Sequence, residues 1–453
     1  MKESYLIKPL LDENYPVAAY GKGIYLYDSE GKEYIDGSSG AVTAGIGHGV
    51  LEIAAVMKEQ AEKVSFVYRS QFSNEPAEKL AVKLKSWAPG DVNWTFFVNS
   101  GSEATETALK VALQYWQEKG KPTKTKVLSR WMSYHGITLG ALSMSGHVGR
   151  RERFTPLLED FPTLNPPYCY RCPFNRTYPE CALHCAKELE TAIRRIGADH
   201  IAAFIAEPII GASGAAVVPP DGYYETISEI CKRNDILFIA DEVMTGIGRC
   251  GTRFAIDHWN VTPDIMALGK GLGAGYAPIA ATMISDRVME PIFKGSKLIM
   301  SGHTYSANPQ SAAVALTVLN YIERHNLIEQ SRNVGAYLKD QLKVLQQKYP
   351  MIGDVRGRGM LTGVEFVSNI FNKLPFASEI HVSRTIIERA MKKGLIVYPA
   401  SAGVDGLGGD AVIIAPPLVT KKEEADKIVR LFDQTVKEVQ DELQVGGFFS
   451  SVG

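Results

Sequence analysis

The chain has 453 residues, 45% of them hydrophobic and 22% charged, with a formal net charge of -1. That length supplies the core of one large α/β unit with a smaller partner, and the near-neutral balance without a basic stripe argues against nucleic acid or an anionic membrane as the main partner. No apolar run is long enough to span a bilayer, and the opening MKESYLIKPLLDENYP lacks the apolar segment and small-residue cleavage site of a signal peptide, so the cytoplasm is the expected compartment.

GIYLYDSEGKEYID (23–36) predicts a hairpin. TFFVN (95–99) predicts a strand and SEATETALKVALQYWQ (102–117) a helix, followed by the apolar run KTKVLSRW (124–131). HIAAFIAEP (200–208) leads through a turn-rich stretch into the helical pattern GYYETISEICKRN (222–234). DILFIADEV (235–243) and PDIMALGKG (263–271) are two further buried runs. Short apolar runs bounded by turn residues suit buried parallel strands, and their alternation with helices predicts an α/β domain with a mainly parallel sheet. From about residue 330 the pattern becomes helix, strand, helix, strand and a long closing helix (331–350, 359–367, 382–394, 411–419, 421–443), which predicts a smaller α+β domain. The expected division is 1–55 with the small domain, 56–329 as the large domain, and 330–453 as the rest of the small one.

Four runs end on residues able to do chemistry: Asn99-Ser100-Gly101-Ser102-Glu103, Glu207, Asp241 and Lys270. Each alone has an ordinary explanation as a turn residue, a cap or a solvated charge, with Ser100 and Glu103 forming a capping box. Ligands of open α/β sheets, however, bind beyond the carboxyl ends of the strands, where these groups would meet. Glycine and serine at a helix N-terminus offer amides to a phosphate. A desolvated Lys270 can form an imine with an aldehyde. Asp241 can keep a pyridine nitrogen protonated, and Tyr134 of SYHG with Val243 can flank a flat ring. Together these parts describe a site for pyridoxal 5'-phosphate.

In the order NSGSEATETALK, SYHG, AEPI, DEVMTGIGR, ALGKGLGAGYAPIAA, HTYSANP and APPL, the chain resembles the class III, or ω-, aminotransferases of fold type I. The resemblance implies a seven-stranded-type large-domain sheet and a homodimer. Lys270 is then the Schiff-base lysine and proton shuttle, and Asp241 the partner of the ring nitrogen. Ser100, Gly101, Ser102, Tyr134, His135, Glu207 and Val243 line the cofactor, and Thr304 reaches the phosphate of the neighbouring subunit. It also implies a transaminase that moves an amino group from an amine or ω-amino acid to a keto acid such as pyruvate, in two ping-pong halves. A decarboxylating or aminomutase member of the fold, or a non-catalytic sensor on this scaffold, are the alternatives.

Departures bear on the substrate. Several relatives that use glutamate carry an arginine shortly before P-x-L, and some ω-amine enzymes carry a mobile one just upstream. Here Ile413 lies near the first place, and 394–418 contains no arginine. Arg69 is the substitute considered, with surface exposure as its plainer reading. Glu207 matches the glutamate that pairs with the missing arginine and is left to a substrate ammonium or another residue. In DGSSGAVTAGIGHG (36–49), Ala41 and Val42 stand where diaminopelargonate aminotransferases show a tryptophan pair, which predicts a roomier pocket. Met244 replaces the glutamine typical of dialkylglycine decarboxylases and acetylornithine enzymes.

Separately, CYRCPFNRTYPECALHC (169–185) places Cys169, Cys172, Cys181 and Cys185 at C-x2-C-x8-C-x3-C. That spacing fits a structural zinc or iron–sulfur cluster, with His184 as an alternative ligand, or a loop of plain thiols.

Overall fold

The computed structural model describes residues 5–11, 13–403 and 408–449. Among them three sheets form, the largest seven-stranded. Its spatial order is Trp94–Val98, Ala280–Ile284, Ile265–Leu268, Leu237–Asp241, Ile201–Ala206, Lys126–Arg130, Thr163–Leu164. The central strands are buried along their whole length, as their unbroken apolar runs require. Pairing is parallel across Thr163–Leu164, Lys126–Arg130, Ile201–Ala206, Leu237–Asp241 and Ile265–Leu268.

Ala280–Ile284 runs antiparallel to both its neighbours, Ile265–Leu268 and Trp94–Val98. The sequence reading did not separate it as a strand. The connection 269–279 is too short for a crossover helix, so the chain returns antiparallel. Because two reversals cancel, Trp94–Val98 ends on the same edge as the parallel strands.

Helix Gly101–Glu118 follows that edge. Ser100 caps it, its Oγ accepting from the Glu103 amide at 3.2 Å. The predicted capping box closes differently: the Glu103 carboxylate accepts from the amide of Asn99 at 2.7 Å, one residue further out than Ser100. Ala104, Ala108, Val111, Ala112 and Tyr115 form the buried stripe. Trp116, fully buried, donates from Nε1 to the Ala202 carbonyl at 2.8 Å, pinning the helix across the sheet. Its replacement by alanine would cost about 3–5 kcal/mol.

A second core lies around the antiparallel sheet ordered Ile352–Arg358, Leu361–Phe366, Asp410–Ile414, Tyr398–Ser401. Helices Leu327–Lys348, Val382–Lys392 and Lys422–Val445 contribute Leu338, Leu342, Ile386, Phe432 and Val436 to it. The predicted hairpin is present as Tyr25–Asp28 with Glu33–Asp36, and Leu395–Ile396 adds in parallel to Glu33–Asp36. The N-terminal segment thus shares a sheet with the C-terminal one. Of the loop 400–410 considered for a mobile arginine, residues 404–407 lie outside the described residues.

Candidate active site

The strand ends converge on a cavity of about 270 Å³ lined by Gly101, Ser102, Tyr134, Asp241 and Lys270, among others. Register explains the convergence. Asp241 pairs with Ala267, and Ala206 with Ala240, so Asp241, Glu207 and the Gly269-Lys270 turn emerge side by side.

Asp241 is 3% exposed. Its Oδ2 lies 2.7 Å from His135 Nδ1, and its Oδ1 accepts from the Val243 amide at 3.0 Å. His135 is held in turn, its amide donating to Ser145 Oγ and its carbonyl accepting from Thr105 Oγ1. His135 Nε2 is buried and has no partner among the described residues.

Lys270 takes a left-handed backbone, φ 41, at the head of a single 3-10 turn. Such a conformation is costly for a side-chain-bearing residue and concentrates at functional sites. Its Nζ donates to the Ala41 carbonyl at 3.0 Å. Burial depresses its pKa to about 8, against the opposing pull of Asp241 and Glu207.

Two glycines are required by space. A Cβ on Gly101 would meet Val243 Cγ1 at 2.7 Å. One on Gly136, at φ 139, would meet Ser102 Oγ at 2.6 Å. Helix Gly101–Glu118 therefore starts flush against the wall of the cavity. The amides of Gly101 and Ser102 have no protein acceptor among the described residues. Ser102 Oγ accepts from Ile137 N at 3.0 Å and ties down the loop after Tyr134.

Glu207 lines the cavity, but its oxygens are taken by the amides of Tyr134 at 2.8 Å and Gly211 at 2.6 Å. Burial raises its pKa. Its geometry is that of a brace for the Tyr134 backbone. Ser100 acts as the helix cap. Thr304 is exposed in the segment between Ser301 and Ser306, apart from the residues lining this cavity. Arg69 is also exposed; it donates to the Ser301 carbonyl and lies over Phe96, so it is no part of the pocket. Val42 is buried behind the pocket, and Ala41 meets Lys270 through its backbone carbonyl.

Arg150 and Tyr398 line the cavity and were not singled out from sequence. Arg150 lies in HVGRRERF, where one more cation in a basic stretch carries no signal. Tyr398 comes from the sheet that contains Tyr398–Ser401 and Asp410–Ile414, and enters only through tertiary packing.

The four cysteines of 169–185 do gather, lining a small void together with His184. The metal expectation nevertheless finds no support. Among the described residues no group of three or more His, Cys, Asp or Glu is arranged to hold a metal ion. Burial and then the neighbouring thiols push the Cys185 thiol up to about 12.

The strand-end lysine and carboxylate at the edge of a mainly parallel sheet are the arrangement of a fold type I enzyme. The aminotransferase class-III family model matches residues 12–436, and the chain belongs to that family. An uncharacterized aminotransferase of Bacillus subtilis (strain 168), YodT, is 55% identical over 97% of this chain and 99% of its own length. An adenosylmethionine-8-amino-7-oxononanoate aminotransferase of Geobacter sulfurreducens is 37% identical over 94% of this chain and 93% of its own. The crystal structure of a thermostable (S)-enantioselective omega-transaminase from Thermomicrobium roseum superposes with a TM-score of 0.90, at 36% identity and 96% coverage of both chains. The protein is an aminotransferase, from a family that uses pyridoxal phosphate. No described helix is long and apolar enough to cross a membrane.

Proposed function

We propose that this aminotransferase moves an amino group from an amine or ω-amino acid donor to a keto acid such as pyruvate, in two ping-pong half-reactions at the cavity around Lys270. The observation that carries the reading is a lysine amine depressed to about 8, sharing one cavity with the Asp241 carboxylate and two unclaimed helix amides.

The residues present fit pyridoxal phosphate. When bound, that group supplies an aldehyde that condenses with amines and a ring that draws off the electrons left when a carbon loses its proton. The Gly101 and Ser102 amides, at the positive end of an 18-residue helix, hold the phosphate. Asp241 supplies the negative charge beside the ring nitrogen, kept in place by His135 and the Val243 amide. Tyr134 and Val243 flank the ring, and Glu207 fixes Tyr134 through its backbone. Lys270 Nζ, neutral above about pH 8, takes the proton from the donor carbon bearing nitrogen and returns one in the second half. Burial keeps the amine deprotonated and limits water at the reacting carbon.

The working unit in this reading is a homodimer, with Thr304 serving the partner's phosphate. Around Thr304 lies exposed apolar surface: Phe66, Phe72, Met300 and Tyr305 are 42%, 65%, 71% and 61% exposed. Phe66 and Tyr305 meet edge to face, their ring centroids 5.7 Å apart, and exposed apolar side chains of this kind suit burial by a second copy.

The test is a donor and acceptor panel of pyruvate, 2-oxoglutarate, glyoxylate and ω-amino acids, with the visible absorbance followed as amine is added. Amine should bleach the visible band, and keto acid should restore it. Release of carbon dioxide, or turnover without any acceptor, would overturn the reading.

A further inference from the structure

We propose that Arg150 is the specificity residue that grips the carboxylate of the keto-acid acceptor. The inference rests on the transaminase reading above and names the part of the substrate that the site recognises.

Arg150 lies on the short helix Val148–Arg151 and lines the same cavity as Lys270 and Asp241. Its guanidinium carbon sits 4.2 Å from the centroid of the Tyr134 ring. A planar cation held against an aromatic face keeps its fork oriented and is only weakly hydrated, which suits bidentate carboxylate binding. It is half-buried, and no carboxylate pairs with it among the described residues. Its charge reaches the reacting amine, where it helps lower the Lys270 pKa.

Arg249, Arg171, Arg356 and Arg69 are committed elsewhere. Arg249, wholly buried, donates to the carbonyls of Met360 and Pro416 and to Ser39 Oγ. Arg171 and Arg356 both pair with the buried Glu365. Arg69 is outside, and 394–418 has no arginine. Among the described residues, Lys270 and Arg150 are the two cations lining the cavity. Lys270 is needed for the chemistry, so an anionic substrate group falls to Arg150.

The experiment compares Arg150→Gln and Arg150→Lys with the wild type, using pyruvate against propanal as acceptor and propanoate as a non-reacting binding probe. Losing a charge-assisted bond should raise the KM for pyruvate about 10- to 100-fold with little change in kcat. The pyruvate-over-propanal ratio of kcat/KM should collapse by the same factor, propanoate binding should weaken in parallel, and lysine should recover part of both. An equal loss with both acceptors, or no loss with either, overturns the proposal while leaving the transaminase reading intact. A wild type whose cofactor spectrum and inhibition show no binding of pyruvate or propanoate overturns it whatever the fate of that reading. Unchanged cofactor affinity in Arg150→Gln separates carboxylate binding from a role in holding phosphate.

Discussion

The cleft around Lys270 and the cysteine loop look equally rich in chemistry when read as sequence. One offers Asp241, Lys270 and SGSE; the other offers four cysteines and a histidine in seventeen residues. In three dimensions they part. The cleft groups project from the ends of parallel strands whose register is fixed by sheet pairing on both sides. Each is braced by a neighbour: Asp241 by His135, the Tyr134 backbone by Glu207, and Gly101 by Val243. Cys181 lies in a turn and Cys185 in the first turn of the helix His184–Ile196, while Cys169 and Cys172 line a much larger but open hollow of about 1030 Å³. That loop is tied by its charges, not its thiols. Arg171 and Tyr168 both bond Glu365 of strand Leu361–Phe366, and Arg171 also reaches the Ala402 carbonyl. Clustering of reactive residue types becomes a site only where a rigid element sets direction and burial sets charge.

Lys270→Ala should separate the two regions most sharply. Turnover should fall by about 10⁴-fold or more, because both the covalent step and the proton transfer need that amine. Cofactor should still bind through phosphate and ring contacts, measured by retention on dialysis. Sustained multiple turnover would show that another group does this work.

Asp241→Asn should lower the rate by about 10²- to 10³-fold, since an amide lacks the charge that holds a proton on the ring nitrogen. His135→Phe tests the brace: if Asp241 acts through its fixed position, this change should impair the rate without abolishing cofactor binding. A rate for Asp241→Asn within a few-fold of wild type would transfer the role elsewhere.

The depressed Lys270 amine has a pH signature. Only the neutral amine condenses with the cofactor aldehyde, and the folded pKa of about 8 lies below the ordinary value. Recombination of apoprotein with pyridoxal phosphate should therefore speed up about tenfold per pH unit below 8 and level off above it, followed by stopped-flow absorbance. A rise continuing toward pH 10 would mean that the amine is not desolvated.

Thr304→Ala should weaken cofactor affinity by about 1.5–3 kcal/mol, one hydrogen bond to a charged oxygen. Equilibrium dialysis reads this directly, and unchanged affinity would remove Thr304 from the partner's site.

The smallest effect belongs to the loop. Single Cys→Ser changes at 169, 172, 181 and 185 should leave kcat/KM near wild type and shift stability by about 0.5 kcal/mol or less at the exposed Cys169. Native thiol titration should find these groups without prior chelation. A stoichiometric metal released together with loss of the fold would restore the metal reading and erase the contrast between the regions.

The sequence by itself determined the alternation of buried strands and helices, the position of Lys270 and Asp241 at strand ends, and the Ser100 cap. All follow from short-range pattern, because apolar runs, turn residues and caps act within a few neighbours. It did not determine that Ala280–Ile284 runs antiparallel, that Glu207 spends both oxygens on backbone amides, or that Glu103 reaches past Ser100 to Asn99. Nor did it bring Arg150 and Tyr398 to the cavity. These depend on residues far apart in the chain meeting at set distances: register decides which strand ends align, and packing decides which polar atoms lose water. Ala41, a small residue that drew notice for its side chain, meets Lys270 through its carbonyl alone. A backbone acceptor carries no mark in sequence, because every residue has one.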